Sequence, residues 1–151
     1  MPAPLAWIEQ DLVAAAKRGV RIAARVYAPC TLKGVTVAMA HDPERIMSAW
    51  PGEQLSIAMD GEQFLTALVG KGGHHLHQAI WSNSTFLSCM HYNALQSELV
   101  MTDLQTSANS LHSGLETLSL TRLKPPGLIK LHERYGDAAS EERAQRPRKG
   151  R

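Results

Sequence analysis

Apolar residues follow two different periods along the chain, and the N-terminal part has the helical one. Over residues 4–18 apolar side chains recur at spacings of three and four, which predicts an amphipathic helix. These side chains are Leu5, Ile8, Leu12 and Ala16. Gly19 follows the basic pair Lys17-Arg18, where we expect the C-cap of this helix.

A period of two predicts five strands, which span residues 20–27, 35–39, 53–59, 63–69 and 74–81. In the first strand we expect Val26 on the core face, with Arg25 and Tyr27 on the wetter face. Asp60-Gly61 separates the third and fourth strands and is a strong two-residue hairpin signal. The fourth strand is apolar on both faces, as expected of a central strand.

A long helix is predicted after the last strand, capped by Ser82, Asn83 or Ser84 and ending near residue 106. It carries two apolar stripes. The first stripe is Leu87, Met90, Ala94, Met101 and Leu104, and the second is Tyr92, Leu95 and Leu99. Two stripes predict burial on two sides, by a sheet and by either the C-terminal segment or a partner subunit.

These elements together predict an α/β fold. We expect a mixed sheet of about five strands, flanked by the N-terminal helix and the long helix after the last strand. Leu111, Leu115 and Leu118 indicate a further short helix, and residues 128–135 another. The predicted organisation is a domain over 1–107, a helical extension over 108–136 and a disordered basic tail over 137–151.

The positive charge of the chain lies in this tail. The 151 residues carry a net charge of +2, and residues 137–151 have five basic and three acidic side chains, which is also a net +2. The remaining residues therefore carry no net charge, and they would gain little from counterion release on a phosphate backbone. This balance makes direct DNA binding doubtful.

Features that are absent from the sequence indicate the expected compartment and whether a membrane-spanning helix is expected. It has no run of about 18 apolar residues and no basic segment ahead of an apolar one, so we expect neither a membrane-spanning helix nor a signal peptide. Cys30 and Cys89 have no CxxC spacing. We expect them to be reduced, buried thiols of a cytoplasmic protein.

His74-His75-Leu76-His77 is the first candidate site. On a strand, His75 and His77 point to the same side about 7 Å apart, close enough to share a metal ion. A zinc site needs a third or fourth ligand, and no cysteine or acidic residue has a suitable spacing. A polar strand face, or a wall that contacts a ligand, is the favoured interpretation, and no metal is predicted.

Trp81 and Asn83 lie where the last strand meets the long helix, and capping with one packed indole explains them most simply. The functional alternative is a site for an anionic or hydroxyl-rich ligand, with Trp81 as a stacking wall. Glu53 and Asp60 stand at opposite ends of one strand, too far apart for acid/base work. No catalytic motif occurs, so no catalytic residue and no cofactor are predicted.

The motifs together resemble the C-terminal effector domain of TrmB-type transcriptional regulators, a degenerate phospholipase-D-like fold. The resemblance covers roughly residues 5–104. It rests on Lys17-Arg18-Gly19-Val20, Leu55 with Asp60-Gly61-Glu62, Ala79-Ile80-Trp81-Ser82-Asn83, Tyr92 and Glu98-Leu99. Such regulators carry a winged helix-turn-helix ahead of the effector domain and respond to sugars or related ligands. A chain that starts on the first effector helix leaves no room for that DNA-binding element.

Phospholipase-D enzymes have a motif of histidine, any residue, lysine, any four residues and aspartate. If Asp60 is taken as the aspartate, the lysine position is Leu55 and the histidine position is Glu53. The attacking imidazole and the cation that would hold the phosphoryl oxygens are both missing. The resemblance therefore implies a protein that is not an enzyme.

The leading hypothesis is a non-catalytic, ligand-sensing domain of a TrmB-like transcriptional regulator, acting as a homodimer. Its ligand, a sugar or a related small molecule, would lie near Glu53, His75, His77, Trp81 and Asn83. Binding would shift the packing at the helix interface. Two alternatives stay open: a protein–protein adaptor, and a metal-dependent hydrolase that uses the histidine cluster.

Overall fold

The computed structural model describes residues 3–106 and 125–135. The helices there are α1 (Ala3–Lys17), α2 (Pro43–Ser48), α3 (Thr85–Thr106) and α4 (Pro126–Tyr135). The strands in these ranges are β1 (Ala23–Val26), β2 (Thr36–Met39), β3 (Glu53–Met59), β4 (Gln63–Val69) and β5 (Leu76–Ser82). The α/β class and the five strands are confirmed. Three predicted segments lie outside the described residues. They are the helix around Leu111, Leu115 and Leu118, most of the 108–136 extension and the tail over 137–151.

The five strands form two sheets and not the single mixed sheet that was predicted. β1 and β2 pair in parallel, whereas β3, β4 and β5 form an antiparallel sheet with β4 in the centre, as expected. Alternation of side chains predicts which residues form strands, but it carries no information about which strand edges pair. The sequence therefore could not separate the two sheets.

β1 begins later than predicted because the end of α1 holds the chain. Gly19 has a φ of 89° and its N–H donates to the Ala16 carbonyl at 2.9 Å. The Val20 N–H reaches back to the Ala15 carbonyl at 3.2 Å. These two bonds form a Schellman motif, which confirms the predicted C-cap. Val20 is thereby bound to the helix and unavailable to a strand.

The β3–β4 hairpin has the bounds that the sequence predicts. Asp60 and Gly61 both have positive φ, 53° and 69°, which is the backbone of a type I′ turn. The Glu62 N–H donates to the Met59 carbonyl at 2.9 Å, and Met59 pairs with Gln63 next to the turn. The turn therefore fixes the register of the two strands.

α3 holds the two sheets together, since it contacts β1, β2, β3 and β4. Its inner face carries buried side chains at helical spacing, and the Phe64 ring of β4 lies 4.8 Å from the His91 ring. The buried side chains are Ser88, Cys89, Gln96, Leu99 and Thr102. α3 also contacts α4, so it packs against the sheets and against the C-terminal segment, as expected. Leu87, Met90 and Met101 of the other predicted stripe are nevertheless exposed.

Candidate functional site

Glu53 is joined to the loop between β4 and β5. This loop is a 3-10 turn over Lys71–Gly73, and the Gly72 N–H donates to Glu53 Oε1 at 2.9 Å. Gly72 has a φ of 77°, a conformation that favours glycine and aims its amide at the carboxylate. Glu53 Oε2 accepts no hydrogen bond from the described residues, so one carboxylate oxygen is available to a ligand.

His75 and His77 lie at the same end of the antiparallel sheet. The His75 carbonyl accepts the Gly70 N–H at 2.8 Å. The His75 ring also lies close to Gly70, since a Cβ on Gly70 would be 2.5 Å from the nearest ring carbon. The rings of His75 and His77 meet edge to face with centroids 4.3 Å apart. Both side chains are exposed. We call Glu53, the 70–73 loop, His75 and His77 the histidine corner.

Trp81 and Asn83 lie at the other end of β5. Trp81 pairs with Leu65, near the Asp60-Gly61 turn, and both Trp81 and Asn83 are exposed. Trp81 lies four positions beyond His77 along the strand, which corresponds to about 13 Å. A single chain therefore brings three of the five predicted site residues together and leaves Trp81 and Asn83 apart from them.

Ser84, one of the three predicted cap residues, caps α3. The Leu87 N–H lies 3.5 Å from Ser84 Oγ, and the Ser88 N–H donates to the Ser84 carbonyl at 2.8 Å. Ser82 Oγ accepts the Ser84 N–H at 3.1 Å and so holds the cap in place. Asn83 makes none of these capping bonds, and its side chain remains available.

Asp60 plays no part in the histidine corner. It lies at the far end of β3 from Glu53, and its carbonyl oxygen accepts the Gly127 N–H at 2.9 Å. Leu55 lies within β3 and pairs with Ala67. The three residues that align with the phospholipase-D motif therefore supply one hydrogen-bonded carboxylate, one apolar strand residue and one turn residue.

Metal ligands do not gather in the described ranges. No group of three or more His, Cys, Asp or Glu side chains there has a geometry that could hold a metal ion. His91, one possible partner of the histidine pair, belongs to α3, and its ring packs against Phe64. The His75 and His77 pair alone offers two nitrogen ligands, whereas a tetrahedral zinc site needs at least three from the protein.

The chain matches no protein-family model, no curated protein and no solved structure. The resemblance to TrmB-type effector domains therefore stays a prediction. None of the helices in residues 3–106 and 125–135 is both long and apolar enough to cross a membrane.

An Arg25-centred network was not anticipated from the sequence. Arg25 Nε donates to Thr102 Oγ1 at 2.7 Å, and its Nη1 donates to the Tyr27 hydroxyl and to Glu98 Oε2, the latter at 3.2 Å. The guanidinium also lies 4.9 Å from the centre of the Tyr27 ring. Arg25 and Tyr27 were expected on a wet face, but both are half-buried and Arg25 joins β1 to α3.

Burial raises the pKa of Tyr27, because the ionised phenol would lose hydration. Arg25 opposes this shift, and Glu98 adds to it. Tyr27 is therefore a neutral phenol at neutral pH, able to accept the Arg25 hydrogen bond. The sequence shows Arg25 and Tyr27 at i, i+2 spacing, and Glu98 and Thr102 at i, i+4 spacing. It does not show that Arg25 bonds to Glu98 and Thr102, which lie more than 70 residues away.

The groove beside the parallel sheet lies away from the histidine corner. An open groove of about 570 Å³ runs beside β1 and β2, and none of the five predicted site residues lines it. Cys30 lines this groove and is half-buried, in contrast to the buried thiol that was expected. Cys89 is buried as expected, and both thiols are free.

Proposed function

We propose that this domain is a non-catalytic regulatory domain that senses a small hydroxyl-rich ligand, a sugar or a related molecule, at the histidine corner. One observation carries the proposal: Glu53 is hydrogen-bonded to Gly72 in the loop that leads into the edge-to-face pair of His75 and His77. A free carboxylate oxygen and two exposed imidazoles thus converge at one sheet end. Carboxylates and imidazoles are groups that bind sugar hydroxyls through hydrogen bonds.

The same contacts support a binding role and not a hydrolytic one. Glu53, at the position of the phospholipase-D histidine, carries a negative charge that would repel a phosphodiester. Leu55, at the position of the lysine, has no charge to stabilise a phosphoryl transition state. The hydrogen bond to Gly72 gives Glu53 a positioning role for the loop instead.

The regulatory assignment follows the resemblance to TrmB-type effector domains. In such an arrangement a sugar bound at the histidine corner would alter transcription through a separate DNA-binding element. Residues 1–136 carry no net charge, which argues against strong phosphate binding by this part of the chain itself.

A protein–protein adaptor is the second candidate, and the outer face of α3 favours it. Leu87, Met90 and Met101 share this face and are about half exposed. Exposed apolar side chains at helical spacing are typical of a surface that binds another protein. An adaptor would bind its partner without any response to sugars.

Thermal-shift measurements with a panel of sugars and phosphosugars test the proposal. A ligand at about 100 times its Kd stabilises the folded state by about 2.7 kcal/mol, which raises the Tm of a chain of this size by about 5 °C or more. We expect such a shift with at least one sugar, its loss in His77→Ala and its reduction in Glu53→Ala. His41→Ala, at an exposed histidine outside the corner, should retain it. No shift with any member of the panel, or equal loss in His41→Ala, would contradict the proposal.

A further inference from the structure

Residues 12–41 carry charge of one sign only. This stretch contains lysine and arginine residues but no aspartate or glutamate. The basic residues are Lys17, Arg18, Arg21, Arg25 and Lys33. The zero net charge of residues 1–136 is therefore an average, because the acidic side chains that balance this stretch lie elsewhere in the sequence. A local excess of positive charge attracts an anion even on a protein without net charge.

Most of this positive charge has no acidic partner in the described part of the chain. Arg25 forms an ion pair with Glu98 of α3 at 3.2 Å. None of the other four cations forms an ion pair with a described residue, and all four are exposed. Two of them, Lys17 and Arg18, lie at the end of α1, whose carbonyl groups offset about half a positive charge. The remaining charge is available to a ligand.

A groove of about 270 Å³ lies where the end of α1 meets the starts of β1 and β2. Arg21 lines this groove, and each of the other three cations is adjacent in the chain to a lining residue. The lining residues are Ala16 beside Lys17, Gly19 beside Arg18 and Gly34 beside Lys33. Gly34 packs on α1, since a Cβ on Gly34 would be 3.0 Å from the Ala16 Cβ. The fold therefore gathers the four cations beside one groove, which we call the basic groove.

Hydrogen bonds hold the walls of the basic groove in place. The Val20 N–H donates to the Ala15 carbonyl of α1 at 3.2 Å. The Thr36 N–H of β2 donates to the Ile22 carbonyl at 3.0 Å. Arg21 lies between these two bonded residues, so its backbone is fixed relative to both α1 and β2. A ligand would meet a preformed site and would lose little free energy to the ordering of the backbone.

We propose that the basic groove binds a small molecule through a phosphate or pyrophosphate group. The planar guanidinium of Arg21 can hold two phosphate oxygens at once, the lysines add charge, and Thr36 adds a hydroxyl donor. The groove is slightly smaller than the pockets of about 300–1,000 Å³ that hold drug-sized ligands, so it suits a compact anionic group. A nucleic acid fits less well, because its extended backbone would also meet the acidic residues that cancel the charge of the patch.

Calorimetric titration with pyrophosphate at constant ionic strength tests the basic groove. We expect the wild type to bind one pyrophosphate per chain, and Arg21→Gln to weaken this binding at least about tenfold. Lys33→Glu should weaken it as well, because it places a negative charge beside the groove. Arg45→Gln is the matched control, since it removes the same charge from an exposed arginine that does not line the groove, and it should bind like the wild type.

Two results of this titration would overturn the proposal. One is a wild type that does not bind pyrophosphate at millimolar concentration, and the other is an equal weakening in Arg21→Gln and Arg45→Gln. The exposed position of Arg21 lets the variant keep its fold, and an unchanged Tm without ligand confirms this.

The basic groove shares no residue with the histidine corner, and one further variant separates the two sites. We expect His77→Ala to bind pyrophosphate with the wild-type Kd, whether or not the histidine corner binds a sugar. Loss of pyrophosphate binding in His77→Ala would overturn a separate groove and would place the anion at the histidine corner. Binding of a DNA duplex that depends on Arg21, without any response to pyrophosphate, would overturn the assignment to a small molecule.

Discussion

The Gly127 N–H donates a 2.9 Å hydrogen bond to the carbonyl oxygen of Asp60, and this bond joins the start of α4 to the β3–β4 turn. The two backbones are so close that a Cβ on Gly127 would clash with the Gly61 carbonyl group. Lys130 adds an ion pair with Glu62 at 2.9 Å. The hairpin turn is therefore a docking point for the C-terminal helix, which the Asp-Gly motif alone did not reveal.

Gly127→Ala should release α4 from the turn. The overlap with backbone atoms has no flexible side chain to absorb it, so we expect a loss of about 1–3 kcal/mol in the free energy of unfolding, measured by chemical denaturation. Glu133→Ala, at an exposed position of the same helix, should change the stability by less than about 0.5 kcal/mol. Equal stability of Gly127→Ala and wild type would contradict the docked position of α4.

The Cys89 thiol reports on the same docking. Cys89 Sγ donates to the Gly61 carbonyl at 3.3 Å, and burial raises the pKa of this thiol, so it is protonated and slow to react near neutral pH. When α4 is released in Gly127→Ala, we expect faster modification of Cys89 by a thiol reagent. Cys30→Ser should be introduced in both proteins, so that Cys89 is the sole thiol measured.

Arg25→Ala should separate β1 from α3. The variant loses the Thr102 and Glu98 hydrogen bonds together with the contact to the Tyr27 ring, for an expected loss of about 1–3 kcal/mol in denaturation experiments. Glu98→Gln is the matched control, because Glu98 is largely exposed and a surface ion pair contributes less than about 1 kcal/mol. An Arg25→Ala loss no larger than that of Glu98→Gln would show that the network adds little to stability.

Ser88→Ala should be neutral or stabilising. Ser88 is fully buried on the inner face of α3, and its hydroxyl makes no hydrogen bond within the described residues. Replacement by alanine removes a desolvated polar group without leaving a larger void, so we expect an increase of up to about 1 kcal/mol in unfolding free energy. Ser97→Ala, at an exposed serine of the same helix, serves as the comparison and should change little. A clear loss of stability in Ser88→Ala alone would reveal a partner for this hydroxyl.

Local features of the sequence predicted the local structure well. The bounds of β3 and β4 follow from side-chain alternation and from Asp60-Gly61, whose positive φ values define the turn. The Gly19 cap is equally local. β5 begins two residues later than predicted, because the 3-10 turn at Lys71–Gly73 is followed by His74 in a helical conformation.

Relationships between distant segments could not be read from the pattern. Arg25 and Thr102 are 77 residues apart, and nothing in either local sequence indicates their hydrogen bond. The separation of β1 and β2 from the second sheet is equally non-local. The five candidate site residues were predicted as one group because β5 and its flanks contain four of them, yet a strand is extended and holds its two ends apart.

The direct test of the histidine corner is an NMR titration of the histidine side chains with a sugar that stabilises the protein. We expect the ring resonances of His75 and His77 to shift together and to saturate with the same Kd as the thermal stabilisation, whereas those of His41 and His132 should stay unchanged. If the sugar binds while His75 and His77 keep their free-state resonances, the ligand site lies elsewhere and the account is wrong.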